Sequence, residues 1–118
     1  MKQRKRYRKK HRILWAGGRM TNIYEIPLKI TPAQAFSFIV DTTEFYIRLK
    51  TMGSTLYMDF SLNGATIFEG LRCDSGVNLL KLFEYKGVTG VLFFLTKDGL
   101  PPNWQRLGTE DKLYYATI

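Results

Sequence analysis

Chemistry needs a nucleophile, a proton carrier or a metal ligand, and few residues of this chain can supply one. The only histidine, His11, lies among the first nineteen residues, so no later imidazole serves a Ser-His or Cys-His pair or a metal site. The single cysteine, Cys73, excludes an internal disulfide. At the end of an alternating run it reads as a small apolar side chain rather than a reactive thiol. Hydrolysis of a glycan would need two carboxylates facing one cleft about 5–9.5 Å apart. Ten acids are present, yet Glu44, Asp59, Glu84 and most others fall at alternating solvent-side positions or in turns. Gly87 and Gly90 lack the spacing of a phosphate loop, and no Lys-Ser or Lys-Thr follows them. The residues therefore read as a protein that is not an enzyme and uses no cofactor and no metal.

Positive charge is the other chemical resource, and it is concentrated at one end. Of the 18 Lys and Arg residues behind the net charge of +8, nine stand in residues 1–19, where there is no acid. From Met20 onward nine bases face ten acids, so the rest of the chain carries about −1. Three readings of the basic leader stand side by side. It is an arm that neutralises phosphates on nucleic acid or lipid headgroups. It is a secretory signal, although Ile13-Leu14-Trp15-Ala16 is far shorter than an h-region of about 7–15 residues. Or it is an over-extended reading frame, since codons for Ala16-Gly17-Gly18 can spell a ribosome-binding sequence just before Met20. If translated, residues 1–19 are expected to be disordered, because they bury too little to offset an ordering cost of about 1–2 kcal/mol per residue. Residues 20–118 are expected to form a single domain, with no run near the ~18–20 apolar residues of a membrane helix.

The elements that would position any site centre on Thr43 to Cys73, where three runs alternate with period two. Phe45, Ile47 and Leu49 share one face of the first run, and Leu56, Met58 and Phe60 share one face of the second. A turn at Thr51-Met52-Gly53-Ser54 would set Leu49 opposite Leu56, Ile47 opposite Met58 and Phe45 opposite Phe60. Asn63-Gly64 is a strong type I′ hairpin signal. It would pair Met58 with Glu69, a mismatch that calls for a strand reaching the core's rim or for a bulge. Before this meander, Ile23 to Ile30 reads as an edge strand because Pro27 cannot donate to a ladder, and Phe36, Phe38 and Val40 mark another strand. After it, Val77 to Phe83 has helix-like spacing and Val91 to Leu95 is a strand apolar on both faces. Lys97 to Asn103 is a loop, and Lys112 to Ile118 is expected to pair inside a sheet. The fold class is mainly β: a small antiparallel β-barrel or β-sandwich with at most one short helix.

The second half carries an ordered set of short motifs. Phe68-Glu69-Gly70-Leu71-Arg72 is followed by Gly76-Val77-Asn78-Leu79-Leu80, Tyr85-Lys86-Gly87-Val88, Gly90-Val91-Leu92 and Thr96-Lys97-Asp98-Gly99, then by Leu107-Gly108-Thr109 and Leu113-Tyr114-Tyr115. With the opening Ile23-Tyr24-Glu25-Ile26-Pro27-Leu28, this order resembles the baseplate plug proteins of contractile-tailed, cyanophage-type bacteriophages, over Met20 to Ile118. The chain departs from that pattern in two places. The loop after Thr96 lacks an extra acid, and Arg106 stands where a small polar residue commonly precedes Leu-Gly.

The resemblance implies a structural protein of the virion tail, made in the host cytoplasm. It would plug or line the distal end of the tail tube at the central hub, with hub and tail-tube proteins and further copies about the tail axis as partners. It implies no membrane role and no nucleic acid contact except through residues 1–19. The aromatic share of 14% suits such an interface. Tyr57, Tyr85, Trp104, Tyr114 and Tyr115 are the candidate contact residues, and Trp104→Ala is expected to weaken incorporation while sparing the fold. The alternative is a nucleic-acid-binding β-barrel module whose basic arm tracks the backbone while exposed tyrosines stack on bases.

Overall fold

The period-two runs form strands because each places its apolar residues on one side of a pleated ribbon. The structure, a computed structural model, describes residues 4–6, 14–15 and 18–19 by their backbone and residues 22–117 in full. Its strands are β1 (Arg4–Arg6), β2 (Leu14–Trp15), β3 (Gly18–Arg19), β4 (Asn22–Ile26), β5 (Ala33–Val40), β6 (Thr43–Met52), β7 (Thr55–Leu62), β8 (Ala65–Arg72), β9 (Val91–Leu95) and β10 (Lys112–Thr117). One sheet runs β1-β5-β6-β7-β8, antiparallel from β5 to β8 with β1 parallel at its edge, and a second runs β4-β10-β9. β2 and β3 form a hairpin of their own. The two main sheets face each other as a sandwich and do not close into a barrel, so of the two expected architectures the sandwich is the one adopted.

The core lies between the sheets. Phe38 stacks on Phe45 with ring centroids 5.0 Å apart, and Phe45 meets Tyr115 of the opposite sheet at 4.8 Å. Ile47, Met58, Phe60, Leu92, Phe94 and Leu113 are fully buried around them. The strand expected over Ile23 to Ile30 is shorter: β4 ends at Ile26, just before Pro27, and lies at the edge of its sheet. β10 runs through the middle of that sheet, pairing with both β4 and β9.

Two registers differ from the expected ones. Leu49 faces Met58, Ile47 faces Phe60 and Phe45 faces Leu62, two residues away from the expected pairing. The hairpin closes on Gly53-Ser54 alone, with φ +64° at Gly53, the positive first position of a type II′-like turn. A slip of two keeps every side chain on its own face, which is why the core set is unchanged. The second hairpin turns at Asn63-Gly64 with positive φ at both residues, and then β8 bulges twice. The bulges bring Ile67 and Phe68 both into the core and leave Glu69 in solvent, which resolves the mismatch with Met58.

Asp59 is part of the bulge rather than a solvent-side charge. Its Oδ1 accepts the Gly70 N–H at 2.7 Å and lies 3.6 Å from Lys50 Nζ. The helix-like stretch also moves. Leu79 and Leu80 are buried, and a 3-10 turn spans Lys81–Lys86, ending in left-handed Gly87. A second 3-10 turn spans Trp104–Arg106. No helix among the described residues is long and apolar enough to cross a membrane. Of the basic leader, Arg4–Arg6 run beside Ser37–Ile39 at the outer edge of β5. Leu14–Trp15 pair with Gly18–Arg19, and for residues 1–3, 7–13 and 16–17 the expectation of disorder lies outside the described residues.

Candidate functional site

Two surfaces are built with more care than a loop or turn alone requires. The first is the long connection between β9 and β10. Thr96 opens it, its N–H donating to Ser75 Oγ and its hydroxyl to the Leu100 carbonyl at 2.7 Å. Asp98 Oδ1 then accepts the Leu100 N–H, and Asp98 Oδ2 accepts from Arg106 Nη1 at 2.9 Å. Arg106 Nε reaches Asp111 Oδ2 at 3.2 Å, and the same oxygen accepts the Asn103 N–H at 2.8 Å. The Arg106 carbonyl collects the N–H groups of Thr109, Glu110 and Asp111. Arg106 thus ties both ends of the loop to one guanidinium.

The carboxylate of Asp111 is completely buried, and its Oδ1 has no hydrogen-bond partner among the described residues. Burying a carboxylate is costly without a cation beside it, so Arg106 and Asp111 depend on each other. The Leu100 N–H, and next the Arg106 side chain, hold the Asp98 carboxyl below its ordinary value. A carboxyl so lowered is a poor general acid at neutral pH. Burial pushes the Cys73 thiol up to about 12, which removes the thiolate a nucleophile needs.

Between this loop and the β6–β7 turn lies a cleft of about 480 Å³, lined by Ser54, Thr55, Arg72, Leu100, Pro101 and Asn103 among others. Its cations are engaged: Arg72 Nε lies 3.5 Å from Asp74 Oδ1, and Arg106 holds Asp98. Exposed Leu100 and neighbouring Pro101 beside paired charges suit contact with a protein surface.

The second surface is the 3-10 turn Lys81–Lys86. Residues three apart eclipse in a 3-10 helix, so Leu82 and Tyr85 stand together. They are the two most exposed large apolar side chains among the described residues, at 77% and 79%. The turn beneath them is braced. Phe83 packs on Phe68 at 4.9 Å, and Lys86 Nζ donates to the Ile67 carbonyl at 2.7 Å while lying 5.7 Å from the Phe83 ring and 5.9 Å from that of Tyr85. An exposed apolar pair on a rigid base has little ordering entropy left to lose on contact.

The five aromatic residues singled out from the sequence do not come together. Tyr57 is half-buried on the outer face of β7 opposite Arg72, which lines the cleft, and Trp104 stands between Asn103 and Gln105, which also line it. Tyr85 is on the braced turn, and Tyr114 is half-buried on the outer face of β10, stacked on Phe93 at 5.5 Å. Tyr115 is buried in the core, its hydroxyl directed at the Thr89 carbonyl at 3.4 Å, so its ring is a packing element and not a free surface. Trp104 is half-buried and packs against the main core, so Trp104→Ala removes packing contacts as well as surface. Sequence reasoning missed Leu82, whose signal was its position out of phase with Val77, Leu80 and Phe83. It also missed Asp98 and Asp111 as partners of Arg106, for which spacing carries no signal.

A model of one protein family, the cyanophage baseplate Pam3 plug gp18, matches residues 23–118, which contain both main sheets except for β1 and the first residue of β4. No curated protein matches the chain.

Proposed function

The chain belongs to the cyanophage baseplate plug family, a family of virion tail components, and from that premise we propose that it closes or lines the distal end of the tail tube at the central hub of a contractile tail. The family match over residues 23–118 is the observation that carries this reading. The role is mechanical and interfacial. Copies pack about the tail axis and grip hub and tube proteins until contraction, without catalysis and without a cofactor. They are added while the tail is built in the host cytoplasm.

Two surfaces supply the grip. Leu82 and Tyr85 form a rigid apolar knob, and the cleft beside Leu100 and Pro101, flanked by Tyr57 and Trp104, forms a concave partner surface. Tyr114 on the outer face of β10 is the remaining candidate contact. The body from Met20 onward is nearly neutral, which suits protein contact better than contact with phosphates.

The test is co-assembly. The purified chain is mixed with the hub and tail-tube proteins of the same phage and followed by size-exclusion chromatography with light scattering. The reading expects a complex with hub or tube that survives moderate salt. A chain that elutes alone from every mixture overturns it.

A further inference from the structure

The three-stranded sheet buries both of its faces. Ile26, Leu92 and Leu113 point into the main core, while the alternate positions Ile23, Val91, Phe93 and Ala116 form a second cluster on the opposite side. Those four residues are only 0–3% exposed. Such burial on the outward face of a sheet requires a layer above it. Among the described residues, Tyr114 is the partly buried apolar side chain packed against the cluster. Tyr114 pairs with Phe93 across β10 and β9, so its ring lies within the face and not over it.

The covering layer must reach from Ile23 on β4 to Phe93 on β9, two strand spacings or about 10 Å. The chain before Met20 enters the sheet at this edge, through β4. Its backbone forms the β2–β3 hairpin, with Leu14 paired to Arg19 and Trp15 to Gly18. A hairpin is about 5 Å between strand axes and roughly twice that with side chains, the width needed. Arg19 is three residues from Asn22, so the hairpin is tethered within about 10 Å of the cluster's edge. It also contains most of the leader's one apolar run, Ile13-Leu14-Trp15-Ala16.

We propose that the outer face of the β4-β10-β9 sheet is a docking surface whose occupant is the chain's own β2–β3 hairpin, laid across Ile23, Val91 and Phe93 as a third layer of the domain. The inference is independent of the baseplate reading. It gives the leader's apolar run a structural place distinct from the charge around it. It also makes the leader a part of the fold rather than a dispensable preface.

Nuclear Overhauser measurements on the unaltered full chain test this without a substitution. The proposal expects contacts from the Trp15 indole to Phe93 and Val91, and their absence in a folded chain overturns it. A second experiment uses full-length Trp104→Phe, which leaves Trp15 as the sole tryptophan. Trp15 emission should be blue-shifted and several-fold protected from acrylamide, and Phe93→Ala in that background should remove the protection. Trp15 quenched as readily as free indole overturns the proposal. So does protection that disappears on dilution, which would place a second copy on the face.

Discussion

Replacing Tyr85 by alanine separates contact from fold. The ring is 79% exposed in the free chain, so its loss should change folding stability by no more than about 0.5 kcal/mol. Lys86 keeps its bond to the Ile67 carbonyl and its place over Phe83, so the platform stays. In an assembled baseplate the same ring would bury about 150 Å², at most ~4 kcal/mol at about 25 cal/mol per Å². Ordering and desolvation costs at an interface cut that to about 2 kcal/mol, a factor of roughly 30 in occupancy. The assay is competitive incorporation: equal amounts of unaltered and Tyr85→Ala chains are offered to assembling baseplates, and the ratio in purified particles is read by peptide mass spectrometry. Thermal unfolding of each chain is measured alongside. Equal incorporation at equal Tm refutes the assignment of Tyr85 to an interface. Reduced incorporation accompanied by a large fall in Tm refutes the premise that the turn is rigid without it.

Further outcomes follow from the same geometry. Gly108 has φ +79°, and a Cβ there would lie 2.5 Å from the Leu28 carbonyl oxygen; Gly108→Ala should cost more than the ~1–2 kcal/mol of left-handed backbone alone. Gly99→Ala, with φ +75° and open space, should cost only that, and equal costs in denaturant titrations would contradict the close approach. Burial, the larger cause in each, pushes the Cys73 thiol and the Tyr115 phenol up to about 12. The stability this represents is whole below the ordinary thiol and phenol ranges and is lost as pH climbs through them toward 12. Denaturation curves in alkali should therefore steepen in pH dependence there, and Tyr115→Phe should flatten them; a flat profile in the unaltered chain would contradict the burial. The Asp98 carboxyl is held low by the Leu100 N–H and by Arg106, so its contribution is present above the ordinary carboxylate range and lost as pH falls through its lowered value. Asp98→Asn should be less stable than the unaltered chain at neutral pH and converge with it in acid; a constant difference would assign the loss to packing.

How much of this was legible depends on which physical signal each feature leaves in the sequence. β6 and β7 were readable because one face of each is buried with period two, and Asn63-Gly64 announced the turn into β8 through positive φ at both residues. The Gly53 hairpin was placed two residues away, since period two cannot distinguish registers that differ by two. Asp59 looked like a surface charge because alternation says nothing of a bulge whose freed N–H, that of Gly70, recruits a carboxylate. Tyr115 was placed among contact residues by its type, whereas strand parity with Leu113 put it in the core. Asn78 enters the sequence reading only as one position of a motif. Its Oδ1 accepts the N–H groups of Leu80 and Leu92 and thereby ties the segment after Gly76 to β9, a contact across fourteen residues that no local pattern encodes. The Arg106 bridge is of the same kind, joining partners that only the folded loop brings together.

Electron cryo-microscopy of the intact tail before contraction tests the central claim most directly. The account predicts density fitting the two-sheet body of residues 22–117 at the distal end of the tail tube, repeated about the tail axis, with Leu82 and Tyr85 against a hub or tube protein. Density for this chain at the periphery of the baseplate, or virions that contain none of it, would contradict the account.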